Sequence, residues 1–321
     1  MKAAQVVGFG GVDRIDVVDV PPPTPAAGDV LVRVKACGLN YSDTLQRQGR
    51  YLGGPKPPFV PGMEAAGIVE HSGAPGVLPI GTRVALVASG GLHAEWAVAR
   101  PADCIRLPDS MSFAEGAAFP IQYLTAYHAL TTVGHATAGE TVVVHAAGGG
   151  VGTAAVQIAR LLGLAVVATA STEEKRARTL ALGATRAVGY GEFAEVARDL
   201  TGGRGPDLIL DSVGGEVLRR SLGVLPPLGR LVVVGATSGT LASIDTVRLL
   251  FGSQAVLGFH LSALLRYPLL VRESVERLLG WVEQGSLRMQ IGEEIAFADI
   301  RRGHERIASR ERYGKIVLVW E

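Results

Sequence analysis

The chain has 321 residues, 48% of them hydrophobic and 19% charged, with a formal net charge of +1. That length exceeds what one core usually serves, so two domains are expected, and the balanced charge argues against nucleic acid or an anionic membrane as a partner. Two cysteines, Cys37 and Cys104, provide neither a disulfide framework nor a paired-cysteine zinc site, and the expected location is cytoplasmic.

The opening MKAAQVVGFGGVDRIDVVD alternates apolar and polar residues and reaches charges quickly, unlike a signal peptide. No apolar run is long enough to span a bilayer. The proline cluster PPPTPAAGD, residues 21–29, predicts a loop. Up to about residue 120, DVLVRVKAC, EAAGIVEHSG, GTRVALVA and HAEWAVAR read as short strands of a mostly β, barrel-like region. From Thr141 the texture becomes strand, glycine turn and amphipathic helix in alternation, the mark of a parallel sheet with crossover helices. The strands expected there are TVVVHAA, AVVATAS, DLILDSVGG, RLVVVGA and QAVLGFHL, with helices at 151–163 and 173–183 closing on Gly163 and Gly183. The ending GKIVLVWE is a strand with no helix after it, placed to rejoin the β region.

HAAGGGVGTAAVQIARLLG, residues 145–163, follows a buried-looking strand and opens a helix. Gly148, Gly149, Gly150, Val151 and Gly152 would form a turn whose missing Cβ atoms let a pyrophosphate approach the helix amides; a plain packing turn is the competing reading. The next strand ends at Ala170, Ser171 and Thr172, with no acid where an NAD enzyme would hold the ribose hydroxyls. Ser171 can donate to a 2′-phosphate and Lys175 can neutralise it, which favours NADPH, although Glu173 and Glu174 stand nearby. The seven histidines form no metal-ligand spacing, and His145, beside the turn, reads as either a functional group or a satisfied strand histidine.

The segments ACGLNYSD, PGMEAAGIV, HAAGGGVG, DSVGG and HERIASRERYGKIVL, in that order over nearly the whole chain, resemble the zinc-free quinone oxidoreductases (zeta-crystallin-like) of the medium-chain dehydrogenase/reductase superfamily. The resemblance implies an α/β enzyme with a GroES-like β-barrel catalytic domain, 1–120 and 263–321, plus a Rossmann doubly wound parallel-sheet domain, 121–262. It also implies that NADPH and substrate meet in the cleft between them. Where the zinc alcohol dehydrogenases of the superfamily carry ligands, this chain has Asn40, Met63 and, for the third, a position near Ile121, so no metal is expected. Without a Lewis acid the fitting substrate is a quinone or an enone, whose own π-system spreads the incoming hydride charge.

For catalysis the resemblance points to Asn40, Tyr41, Tyr51 and Thr125. Asn40 can donate to a substrate oxygen, hold the nicotinamide ribose or serve only as a turn residue. Tyr41 and Tyr51 can line a flat acceptor or donate to its oxygen, or simply pack. Thr125 is similar to the threonine that contacts the nicotinamide amide, and Asp43 can orient a hydroxyl or cap a helix. Leu45 stands where many members carry a tyrosine, a departure in the acceptor pocket. On the cofactor side Lys175, Tyr190 and Arg310 are implied at the adenosine phosphate. Ser212, Val213, Gly214 and Gly235 are expected at the carboxyl edge of the sheet, and Phe259 over the nicotinamide or in the core. Reduction of a quinone by NADPH is the expected reaction. The alternatives are an NADPH-dependent reductase of α,β-unsaturated ketones, aldehydes or thioesters and a non-catalytic NADPH-binding protein. The apolar edge strand QAVLGFHL predicts a homodimer.

Overall fold

The computed structural model describes residues 1–73, 78–240, 242–309 and 311–320. The chain divides into two compact units: Met1–Ile121 with Pro268–Glu283 and Arg288–Glu321, and Gln122–Tyr267 with Gln284–Leu287. Residues 263–267, expected with the first domain, thus belong to the second unit.

The first unit opens with an antiparallel ribbon of β1 (Lys2–Val6) and β2 (Ile15–Asp19). Then come β3 (Val30–Leu39), α1 (Tyr41–Arg47), β4 (Glu64–Ser72), β5 (Arg83–Val87), β6 (Trp96–Ala99), β7 (Cys104–Arg106) and α2 (Phe113–Ala118); α3 (Pro120–His128) begins at its end. In β3 the alternation predicted for a half-buried strand holds, with Val30, Val32 and Val34 inward and Arg33 outward. Its last four residues, Cys37 among them, are buried together. The region is less purely β than its strands suggested. The helices α1 and α2 are one or two turns long and are started by local caps rather than by hydrophobic period. At α2, Ser112 Oγ accepts from Glu115 N (3.1 Å) while Ser112 N donates to Glu115 Oε2 (2.8 Å).

The second unit carries β8 (Thr141–Val144), α4 (Gly150–Leu161), β9 (Ala165–Thr169), α5 (Glu173–Ala181), β10 (Arg186–Val188), α6 (Phe193–Leu200), β11 (Leu208–Asp211), α7 (Gly215–Leu222), β12 (Arg230–Val233), α8 (Thr246–Gly252), β13 (Ala255–Gly258) and α9 (Leu261–Leu264). Among the described residues its strands run in the order β10-β9-β8-β11-β12-β13, all parallel. This is the doubly wound arrangement, in which the chain reverses its winding between β8 and β11. Strands and helices share a core of Val143, Val167, Ile209 and Leu231 with Phe193 and Leu218. The helices expected at 151–163 and 173–183 are α4 and α5, and Gly163 (φ 78°) and Gly183 (φ 104°) follow them in the left-handed region. The edge strand expected over QAVLGFHL is only β13, because its partner β12 is itself four residues long.

The chain ends in the first unit with α10 (Pro268–Glu283), β14 (Ile291–Ala296), α11 (Ile300–Ser309) and β15 (Lys315–Val319). β15 lies antiparallel to β3, with Ile316 opposite Leu39 and Val319 opposite Ala36, and parallel to β14. The larger sheet of this unit runs β14-β15-β3-β4-β5-β7, with β6 also paired to β3. Its core gathers Val32, Leu86, Ile295, Ile316 and Leu318. The terminal strand therefore sets Lys315 beside the end of β3. Among the described residues no helix is long and apolar enough to cross a membrane.

Candidate active site

In the first unit the ends of β3, β4 and β15 converge on one buried carboxylate. Glu64, the first residue of β4, is fully buried and accepts from Asn40 Nδ2 (2.9 Å) and Ile121 N (2.9 Å). It is also ion-paired with the ammonium of Lys315. Lys315 Nζ donates as well to Asn40 Oδ1 (2.8 Å). Burial pulls the Lys315 ammonium below its ordinary pKa, and the charge of Glu64 opposes that shift. Gly38 makes the packing possible, since a Cβ there would lie 2.3 Å from the Ala117 carbonyl oxygen and 2.7 Å from Glu64 Oε1.

Asn40, where the superfamily resemblance places one zinc ligand, thus donates to Glu64 by its side chain, and Ile121, near the place of another, donates by its backbone N. At the third, Met63 accepts at Sδ from Ser42 Oγ (3.3 Å). Among the described residues, no three His, Cys, Asp or Glu side chains are grouped so as to hold a metal ion. Asn40 is 5% exposed, its amide committed to Glu64, Lys315 and, more weakly, the Gly38 carbonyl (3.4 Å). The amide thus connects the buried glutamate to the buried lysine. Sequence reasoning missed Glu64 and Lys315. The available signal was a charge at the head of an apolar run, in EAAGIV and in KIVLV.

Asn40 also starts α1. Its backbone N donates to Asp43 Oδ2 (2.7 Å), so of the two roles open to Asp43 the cap is the one found. Burial is the main cause that raises the Asp43 carboxyl to about 6. Tyr41, the first residue of α1, is half-buried against the core. Tyr51, in the turn after α1, is half-buried too; desolvation, then the Asp43 charge, raises its phenol above the ordinary value. Leu45 is half-buried on α1, and Thr125, in the second unit, is buried on α3.

The glycine turn of the second unit follows β8. Gly149 N donates to Ala146 O (2.9 Å), Ala146 has a positive φ of 50°, and the first bond of α4 runs from Thr153 N to Gly149 O (2.8 Å). The amides of Gly150, Val151 and Gly152 therefore precede the helical ladder and face the positive end of its dipole. A Cβ on Gly152 would lie 2.3 Å from the Ala146 carbonyl oxygen, so this turn closes only over glycine. Lys175, on α5, lays its stem over Gly148, where a Cβ would meet its Cδ at 3.2 Å. Ser171 is exposed at the end of β9. Glu173 and Glu174 are ion-paired with Arg176 (2.7 Å) and Arg178 (2.8 Å), which reduces their opposition to an anion at this edge. Gly148 and Lys175 are thus brought together beside the amide turn.

At the neighbouring strand end Asp211 is buried and takes the amides of Val213 (2.8 Å) and Gly214 (3.1 Å). Those two residues stand at the expected edge, but their N–H groups are turned inward, which removes them as donors to a ligand. Ser212 Oγ bonds the His145 carbonyl (3.4 Å), and Gly235 lies against Ser212. His145 itself is fully engaged through Thr169 Oγ1 (2.9 Å) and Ser221 Oγ (2.8 Å), and burial pushes it down to about 3; it is a core histidine. Its ring stacks loosely on Tyr190 (6.1 Å), whose carbonyl is held by Arg220 (2.9 Å). Phe259 is half-buried and extends the β13 pairing through its N–H to Val233 O (3.0 Å). Arg310 lies outside the described residues.

The pattern of the alcohol dehydrogenase GroES-like domain matches residues 26–109, and that of the zinc-binding dehydrogenases matches 150–283. Human quinone oxidoreductase is 33% identical over 326 residues, covering 99% of this chain and 98% of its own. The chain belongs to the quinone oxidoreductase family. It is an oxidoreductase of the medium-chain dehydrogenase/reductase type with a GroES-like and a Rossmann-like domain. The family fold is also that of the Thermus thermophilus quinone oxidoreductase, solved alone and with NADPH (TM-score 0.90, 41% identity, 99% and 100% of the two chains). The zebrafish (Danio rerio) synaptic vesicle membrane protein VAT-1 homolog is similar as well, 30% identical over 340 residues, 100% of this chain and 70% of its own.

Proposed function

We propose that this oxidoreductase uses NADPH and, without zinc, reduces a quinone. The observation that supports the reading is what stands at two of the ligand positions that the resemblance implies: the Asn40 side chain is bonded to Glu64 and that of Met63 to Ser42, which fits an acceptor that takes hydride without a Lewis acid. The choice of NADPH is supported by Lys175 over Gly148, by exposed Ser171, by the absence of an acid at the end of β9, and by the NADPH complex of the Thermus relative.

In this reading the Gly150 and Val151 amides hold the pyrophosphate, and Ser171 and Lys175 hold the 2′-phosphate. The bound nicotinamide supplies the hydride. Tyr41 and Tyr51 line the acceptor, and the Tyr51 hydroxyl or a water returns a proton to its oxygen. Thr125, Tyr190, Gly235 and Phe259 complete the cofactor environment. A second reading, reduction of an enone, is favoured by Leu45, which leaves the acceptor pocket without the tyrosine common in the family. The unit bearing β13 is proposed to pair with a second copy, and the cytoplasm is the proposed location.

The test is oxidation of NADPH with 1,4-benzoquinone and with a simple enone, on protein of measured zinc content. Turnover of the quinone by zinc-free protein is expected. Stoichiometric zinc would overturn the metal-free mechanism, preference for the enone would select the second reading, and tight NADPH binding without turnover would mark a binding protein.

A further inference from the structure

The reading above leaves unexplained why a lysine and a glutamate are buried together under the candidate site. A buried ion pair is a poor source of stability, because desolvating both charges offsets most of their attraction, and apolar residues of the same volume often serve as well. Here the pair does something an apolar pair could not. Asn40 is held at both ends of its amide, with Oδ1 on Lys315 Nζ (2.8 Å) and Nδ2 on Glu64 Oε1 (2.9 Å). An ammonium accepts nothing and a carboxylate donates nothing, so only one orientation of that amide is satisfied. The residue so clamped caps the start of α1, and its backbone N is simultaneously tied to Asp43 (2.7 Å).

Resting on the proposed oxidoreductase reading, we propose that Lys315 and Glu64 are positioning residues for the reduction. They fix the Asn40 amide, and through it the start of α1 and Tyr41, in the geometry the acceptor requires. Neither touches substrate: Glu64 is fully buried and Lys315 is 3% exposed. They act as the rigid support that a metal and its ligands would otherwise give this corner, and a misplacement of about 1 Å there can lower turnover by about a hundredfold.

The test compares the wild type with Lys315→Arg, with Glu64→Gln/Lys315→Met, and with Asn40→Ala alone and combined with each. Readouts are thermal midpoint, NADPH affinity by fluorescence, and kcat and KM for the acceptor that the wild type turns over. Lys315→Arg retains the charge, and Asn40→Ala, which removes the clamped amide and neither charge, keeps the proposal testable if the double replacement does not fold. Folded variants are expected to bind NADPH within about twofold of wild type while kcat falls by about tenfold or more. In the Asn40→Ala background the same changes are expected to lower kcat no further, since they act through that amide. Unchanged kcat and KM in folded variants, or losses that multiply with Asn40→Ala, would overturn the proposal while leaving the functional reading intact. A wild type that turns over no acceptor would overturn both.

Discussion

At the scale of single residues the most informative contact is that of Lys175 with Gly148, because it puts a cation on the glycine turn through an aliphatic stem rather than at a loop tip. Lys175→Ala should weaken NADPH binding by about tenfold and NADH binding much less; equal losses for both in a fluorescence titration would show that the lysine packs the turn without reading the 2′-phosphate. Gly152→Ala should be severe, since a Cβ would lie 2.3 Å from backbone at Ala146; a thermal midpoint and NADPH affinity matching wild type would contradict the close packing described. The glycines were legible in the sequence because their constraint is local: a strand must turn into a helix within a few residues. The Asn40 amide was not, since its partner Lys315 lies 275 residues away in the chain.

At the scale of elements the exposed edge of the parallel sheet stands out. Among the described residues β13 pairs with β12 alone, and nearby α8 exposes Val247 (57%), Leu250 (73%) and Phe251 (85%). An unpaired apolar edge invites pairing with another copy. Light scattering should therefore give twice the chain mass, and Leu250→Asp/Phe251→Asp should shift it toward monomer at micromolar concentration; a wild type of single-chain mass at every concentration would rule the dimer out. Element type was readable wherever a period existed, as in α4 and α5. The short helices α1 and α2 had no period to read. Their only signals were the caps Asn40 with Asp43 and Ser112 with Glu115, while the brevity of β13 depended on where a partner strand stopped.

At the scale of the whole molecule the buried titratable groups set the response to acid. Burial depresses His93 to about 4, and His145 and His304 to about 3. Unfolded, each takes up a proton near its ordinary 6.5, so the stability they confer is complete above that value and is lost as pH falls towards 4. Asp43 works in the opposite sense. Its folded carboxyl, at about 6, binds a proton more tightly than the unfolded one at 3.8, so it favours the fold at low pH and loses that advantage as pH rises through about 6. The depressed histidines outnumber the raised carboxyls, so the net effect is a loss of stability as pH falls below about 6.5. Denaturant midpoints should fall steeply from about pH 6.5 to 4.5; a flat profile would show that these histidines are not neutral in the fold. What the sequence by itself determined were the features whose cause is local: the α/β order, the glycine turn and the missing acid after β9. Only the tertiary structure decided which groups face one another, bringing Glu64, Asn40, Ile121 and Lys315 together and turning the Val213 and Gly214 amides onto Asp211. Those contacts arise from strand register and closure over long chain separations, and no periodicity or spacing encodes them.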